Sequence, residues 1–313
     1  MISTRHLIHT AFLFILPLIV AWFGLSVWAA LLLTVAALLW RWLIVLSRFV
    51  VPEKRPALVL ETIAASHFAE KVRWSLDRLG VDYTEACSAG LVGVMFTGRT
   101  VPRLNFQTGI VRSSIGNSAE ILRYLWGEYS AKLDTAGFLE PTADRLALEA
   151  KLDRCGRNLQ QWIYYHVLSD RNLTLHLWGA NHPAVPAWQR GLMRVLFPLT
   201  AAYVRFALSI SQQSYDAACA RTEALLAEVE TRLADGRQSI LGGDDLNYSD
   251  ITFASIMGLW LQPPNYGAGA ADDARVPVDE LPVTLQADIE RWSDDYPRAT
   301  AFINRLYAEE RIL

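Results

Sequence analysis

The stretch Ala57-Leu58-Val59-Leu60-Glu61-Thr62-Ile63-Ala64-Ala65-Ser66-His67-Phe68-Ala69-Glu70-Lys71-Val72-Arg73-Trp74-Ser75-Leu76-Asp77-Arg78-Leu79-Gly80 changes its hydrophobic period part-way along. Ala57 to Leu60 is a short, fully apolar run, the pattern of a central parallel strand covered on both faces in a small α/β unit. From Phe68 onward, Val72, Leu76 and Leu79 recur at spacings of three and four, which predicts a helix with one buried face. Ser66 stands where an N-cap belongs, and Gly80 where a left-handed residue closes such a helix.

Outward from this pair, Val81-Asp82-Tyr83-Thr84 reads as a second strand. Thr100-Val101-Pro102-Arg103-Leu104 reads as a short extended segment, and Gly109 to Val111 lead on to a helix over about residues 118–126. The order β-α-β followed by β-β-α is that of a thioredoxin-like unit. From Pro141 onward the pattern turns helical, with segments at 146–168, 188–208, 217–233, 251–260 and 285–306. Asn247-Tyr248-Ser249-Asp250 forms a capping box that opens the fourth of these and serves folding rather than chemistry. The aromatic cluster Trp162, Tyr164, Tyr165 and His166 is mostly core, with a few members facing Ser66 as an apolar pocket. The Gly, Ala and Pro-rich residues 263–282 read as a long surface loop.

Charge is unevenly spread. Charged residues make up 19% of the 313-residue chain, against about 25% in ordinary soluble proteins. Among 29 Lys and Arg and 32 Asp and Glu, residues 1–50 hold only Arg5, Arg41 and Arg48. The formal net charge of -3 therefore leaves the rest of the chain acidic, which argues against nucleic acid as a partner, since that requires clustered positive charge. Residues 7–40 are apolar or small apart from His9 and a few hydroxyls, and as one helix they would run about 51 Å, well beyond a bilayer core of about 30 Å. A hairpin turning near Gly24-Leu25-Ser26 is favoured over one tilted span, and a cleavable signal peptide would carry a far shorter apolar run. Arg41, Arg48, Lys54 and Arg55 follow the run and only Arg5 precedes it, which puts the globular part on the cytoplasmic side of a membrane. The predicted organisation is a membrane anchor over 1–50, an α/β unit over 56–128 and an all-α unit over 141–313.

Three segments carry a resemblance to a known family. Ser66-His67-Phe68-Ala69-Glu70-Lys71-Val72-Arg73-Trp74 resembles the first active-site helix of cytosolic-type glutathione S-transferases, in which Ser or Cys opens the helix. Thr100-Val101-Pro102 resembles the family's Val-Pro, whose proline is cis and whose preceding backbone pairs with the cysteinyl part of glutathione. Asn117-Ser118-Ala119-Glu120-Ile121-Leu122-Arg123-Tyr124-Leu125 resembles its acid-Ser-x-x-Ile-x-x-Tyr-Leu segment, which takes the γ-glutamyl carboxylate. The resemblance covers about residues 56–313 and implies a thioredoxin-like domain followed by an all-α domain, glutathione as co-substrate, no metal, and a homodimer as a common state. It assigns Ser66 the catalytic position and Val101, Pro102, Asn117 and Ser118 the glutathione contacts. Asn117 replaces the usual Asp or Glu, so a charge-assisted contact to the ligand's amino group becomes a neutral one.

The residues support the same chemistry on physical grounds. A thiol of pKa about 8.5 is mostly protonated at neutral pH, and each unit of depression is worth about 1.4 kcal/mol. A helix N-terminus offers free amides and the positive end of a dipole, and a serine hydroxyl there can donate to a sulfur anion. The plain alternative is that Ser66 is an N-cap and nothing more. Lys71 and Arg73 read as solvated or structural helix charges. Cys87, Cys155 and Cys219 form no paired motif, and the six histidines include no i, i+4 pair, so neither a disulfide framework nor a zinc site is predicted. The expected activity is conjugation of glutathione to a lipophilic electrophile, such as one dissolved in membrane lipid. A non-catalytic membrane adaptor and a glutathione-dependent isomerase are the alternatives.

Overall fold

The computed structural model describes residues 15–24, 26–50, 57–90, 101–108 and 111–311. The Pro52 to Pro56 linker and Thr100 lie outside them. Two helices come first, α1 (Leu16–Trp22) and α2 (Val27–Val50), separated by a turn in which Gly24 takes a φ of +65°. Ser26 caps α2 by accepting from the Ala29 amide at 3.2 Å.

Next come β1 (Ala57–Thr62), α3 (His67–Leu79), β2 (Tyr83–Cys87), β3 (Arg103–Thr108), β4 (Val111–Gly116) and α4 (Ser118–Tyr129). The four strands form one mixed sheet in the order β2-β1-β3-β4. β1 lies inside it, parallel to β2 and antiparallel to β3, which in turn pairs antiparallel with β4. The apolar 57–60 run is thus the inner strand its composition predicts, with Leu58 and Leu60 in the core. β2 and β3 begin later than the sequence pattern suggests, at Tyr83 and Arg103. At the second of these the sheet starts after Pro102, which has no amide to give to a ladder.

The remainder is helical: α5 (Ala143–Val167), α6 (Arg171–Leu177), α7 (Ala187–Ala207), α8 (Gln212–Arg232), α9 (Tyr248–Leu261), α10 (Val283–Asp295) and α11 (Pro297–Arg305). α9 is apolar all round and buried on nearly every face, the mark of a central helix. It carries the capping box read from sequence: Asp250 accepts from the Asn247 and Ile240 amides at 3.0 and 2.9 Å, and Asn247 accepts from the Ser249 amide at 2.9 Å. α3 packs between the sheet and α9, so one core runs from Leu60 and Leu104 through Val72 and Leu76 to Ile251 and Trp260.

Three expectations need correction. The membrane location, with the globular part facing the cytoplasm, is overturned. Among the described residues no single helix is long and apolar enough to cross a membrane; Val27–Trp40 is a shorter apolar helical stretch, below the roughly 20 residues that a span needs. The turn at Gly24 is what divides the long apolar run. The 263–282 segment is irregular but is no surface loop, because Tyr266, Ala271 and Ala274 are wholly buried. Residues 285–306 form two helices, broken at Tyr296-Pro297, where proline opens the second.

Candidate active site at the end of the sheet

The sheet register brings three distant segments together. Glu61 of β1 pairs with Arg103 of β3, and Arg103 pairs with Gly116 of β4, so these residues form one cross-sheet row. The turn to Ser66 leaves β1 just past that row, Val101-Pro102 enters β3 just before it, and Asn117-Ser118 leaves β4 just after it. All five residues singled out by the sequence therefore lie at one end of the sheet. The Val101-Pro102 peptide bond is cis.

Ser66 is the N-cap of α3 in extended geometry, φ -73° and ψ 118°, and its Oγ accepts from the Ala69 amide at 3.3 Å. Capping occupies one acceptor site of the hydroxyl and leaves its proton free to be donated, so the capping role and the catalytic role are compatible. The turn that presents it is tied down on three sides. The Ser66 amide donates to Ile63 O at 2.9 Å, Arg73 Nη2 to Ala64 O at 3.1 Å, and the Tyr266 hydroxyl to Ala65 O at 3.2 Å.

The second anchor point is Asn117. It caps α4 by accepting from the Ala119 amide at 3.2 Å, and it does so at φ +69°, a left-handed backbone that Asn tolerates better than most residues. Ser118 follows as the first residue of α4, 2% exposed, beside the free amides of the helix's first turn.

Ser66 and Val101 open onto a cleft of about 370 Å³ between the sheet unit and the helices. Its walls include Phe68, Trp162, Tyr164, Trp178 and Tyr203, and no Asp, Glu, Lys or Arg lines it among the described residues. The walls are fixed by hydrogen bonds behind them. Trp178 Nε1 donates to the Tyr164 hydroxyl at 3.0 Å. Trp162 Nε1 donates to Asp288 at 2.8 Å, and the same carboxylate takes the Tyr215 hydroxyl at 2.7 Å. Burial opposes ionisation of Asp288, but donors from His166, Tyr215, Trp162 and Arg291 outweigh it and hold the carboxyl well below its usual range.

His67, directly after Ser66, is 3% exposed, and burial lowers its pKa to about 4 against a smaller opposing effect of the Gly156 backbone. The imidazole is therefore neutral at physiological pH and brings no positive charge to an anion at Ser66. Lys71 and Arg73 bring none either, because both are wholly buried and committed elsewhere: Lys71 to Glu149 at 2.6 Å, Arg73 to Glu85 at 2.7 Å. They are structural charges, and the solvated reading is corrected. Thr62 is also wholly buried and donates its hydroxyl to Glu85. At Ser66 the described residues thus offer an anion two things: the Ser66 hydroxyl and the N-terminal amides of α3.

No protein-family model and no curated protein sequence matches the chain. A glutathione transferase from Phanerochaete chrysosporium superposes with a TM-score of 0.51 at 14% identity, over 83% of this chain and 99% of its own. The fold is that of the glutathione transferases. A second solved neighbour, a glutathione S-transferase from Methylobacterium radiotolerans in complex with glutathione sulfonate, superposes at 0.49 with 18% identity, over 82% of this chain and 92% of its own.

Within this glutathione-transferase fold, two residues of the site, Tyr266 behind the Ser66 turn and Trp178 in the cleft wall, had little signal in the sequence. Tyr266 lies in the Gly, Ala and Pro-rich segment, and a lone aromatic there was the only sign that the segment packs inward. Trp178 follows α6, a seven-residue helix too short for its period to register, although Asp170 caps it by accepting from Asn172 and Leu173 at 2.9 and 3.0 Å.

Proposed function

We propose that the protein is a glutathione transferase that conjugates glutathione to an uncharged, lipophilic electrophile, with Ser66 as the thiolate-stabilising residue. The observation that carries this reading is the meeting of Ser66 and Val101 at the mouth of an aromatic cleft that has no Asp, Glu, Lys or Arg among its described lining residues. In this reading the Val101 backbone pairs with the cysteinyl part of the tripeptide beside Pro102, and Asn117 and Ser118 take its γ-glutamyl end at the start of α4. The glutathione sulfur loses its proton to solvent, and the Ser66 hydroxyl donates to the resulting thiolate. With His67 neutral, that donor and the α3 amides supply the depression of the thiol pKa, at about 1.4 kcal/mol per unit. The sulfur lone pair then forms the bond to the acceptor carbon, which the apolar walls hold close to it, while the electron pair displaced from that carbon departs with a leaving-group anion or, at an activated double bond, takes a proton from solvent. An uncharged wall suits an uncharged acceptor, because a charged one would be desolvated without a partner.

The neutral Asn117 favours a second reading, a binding module on the same fold that holds its ligand without turnover. One experiment separates the two. Retention on immobilised glutathione and a thiolate absorbance band in the complex are expected for the enzyme, with the band weakened in Ser66→Ala. Retention without a band supports the binding module. Absence of both removes glutathione from consideration.

A further inference from the structure

α5 and α8 pack antiparallel, and their facing surface changes character along its length. At one end Lys151 Nζ meets Glu228 at 2.8 and 3.0 Å, and in the middle Cys155 Sγ lies 3.8 Å from the Thr222 hydroxyl. Continuing that register sets Arg157 and Asn158 across from Arg221. Here the pairing is of like charges, and Arg154 adds a third guanidinium one turn back along α5. These groups surround a groove of about 490 Å³ with Cys155, Ala224 and Leu225 as its apolar floor.

Arg154, Arg157 and Arg221 are exposed, and none forms a hydrogen bond or ion pair among the described residues. The nearby acids are engaged by other cations, Glu228 from within the groove's own lining. Glu149 and Asp153 face Lys71, Glu223 holds Arg291, and Glu228 is shared between Lys151 and Arg232. A chain of net charge -3 thus gathers three exposed cations around one concavity, with only the part-buried Asp153 in electrostatic reach of Arg157, although like charges facing each other across a helix pair are destabilising. The volume falls in the range of small-molecule sites, about 300–1,000 Å³. Guanidinium forks on two walls match the oxygens of a phosphate better than a single point charge would.

We propose that the groove between α5 and α8 binds a small phosphorylated anion carrying two or more negative charges, held by Arg154, Arg157 and Arg221 with its apolar part on Leu225. This site is separate from the Ser66 cleft and does not depend on the glutathione reading.

Inorganic pyrophosphate titrated calorimetrically into the full chain at about 0.15 M salt, where exposed long-range attraction is screened, is the test. Saturable binding of one pyrophosphate per chain is expected. Arg157→Gln and Arg221→Gln are each expected to weaken it about tenfold, one charge-assisted contact's worth. Without ligand, both variants are expected to melt no lower than the parent, because each relieves a repulsion. Lack of saturable binding, or binding that survives the double variant, overturns the proposal. Equal affinity for citrate overturns the assignment to phosphate. A melting point that falls in both variants without ligand shows that the arginines are already compensated, and overturns it as well.

Discussion

Arg311 Nε donates to Glu70 Oε1 at 2.8 Å across 241 residues of sequence, with both side chains completely buried. The contact is one link in a longer set. Glu70 Oε2 lies 3.4 Å from Arg73 Nη1, and Arg73 reaches Glu85 at 2.7 Å and Ala64 O at 3.1 Å. Arg311 also holds Asp77 at 2.7 Å and sits over the Trp74 ring at 5.5 Å. The last described residue of the chain is therefore tied, through α3, to the backbone turn that presents Ser66.

Removing one partner of a buried pair leaves the other charged and unsolvated, at a cost of about 3–5 kcal/mol. Arg311→Met is expected to destabilise the protein by that amount in urea unfolding. Adding Glu70→Leu should recover much of the loss, since a buried ion pair is often replaceable by apolar residues. A single variant within about 1 kcal/mol of the parent would contradict the buried pairing.

The two roles of Ser66 separate by substitution. Ser66→Ala loses the cap, worth about 1 kcal/mol, and the hydroxyl proton together. Ser66→Asp keeps a good cap at the positive end of α3 but offers no donor and sets a negative charge against the sulfur. Thermal unfolding is expected to show the Asp variant as stable as the parent and the Ala variant less so. Absorbance titration of bound glutathione is expected to give a raised thiol pKa in both, higher with Asp. Full turnover in the Asp variant would place the stabilising donor elsewhere.

His67 makes stability depend on mild acid. Its folded pKa of about 4 lies below the ordinary value of about 6.5. Between these values the unfolded chain takes up a proton that the folded one refuses, so stability is full above pH 6.5 and falls toward pH 4. The depression corresponds to a loss on the order of 3 kcal/mol. His67→Gln is expected to flatten the difference between stabilities at pH 7 and pH 4.5 relative to the parent. Identical pH profiles for the two would rule this source out.

Asn117→Asp tests the γ-glutamyl end of the site. A carboxylate there restores a charge-assisted contact to the ligand's amino group, about twice as strong as a neutral one. The dissociation constant for glutathione is expected to fall by about five- to tenfold, read by calorimetry. Unchanged affinity would place the amino group away from Asn117.

Much of this geometry was legible in the sequence because it rests on local signals. The 57–60 run, the Ser66 and Gly80 caps and the Asn247 to Asp250 box all declare themselves within a few residues, and each is found where its pattern indicated. What was illegible depends on partners far along the chain. Nothing near Lys71 or Arg73 announces that Glu149 and Glu85 will bury them, so a solvated face was an equal reading. Tyr266 reaches Ala65 across 201 residues, and composition alone made its segment a loop. In the apolar run at 7–40 the break at Gly24 was legible, whereas the membrane location was not, since hydropathy counts residues and does not measure the helices on either side of the break.

Gly156 offers a test of how tightly the helical part holds the site. It lies inside α5, where glycine is about 1 kcal/mol worse than alanine, so its presence there needs a steric reason. A Cβ on Gly156 would stand 2.7 Å from Phe68 Cζ and 3.0 Å from His67 Nε2, the two side chains that follow Ser66. Relief is costly: His67 is buried with its ring against Phe68 at 4.2 Å between centroids, and Phe68 can move only into the cleft that it lines. Gly156→Ala is therefore expected to destabilise by about 1–3 kcal/mol through overpacking, in spite of its better helix propensity. The first turn of α3 must shift to admit the methyl group, so affinity for glutathione should fall as well. Gly191 in α7 is the control, exposed and with nothing within 4 Å of a built Cβ. Gly191→Ala is expected to stabilise by about 0.5–1 kcal/mol. Opposite signs for the two substitutions in denaturant unfolding are the expected result. A stabilising Gly156→Ala would mean that α5 does not press on the Ser66 turn.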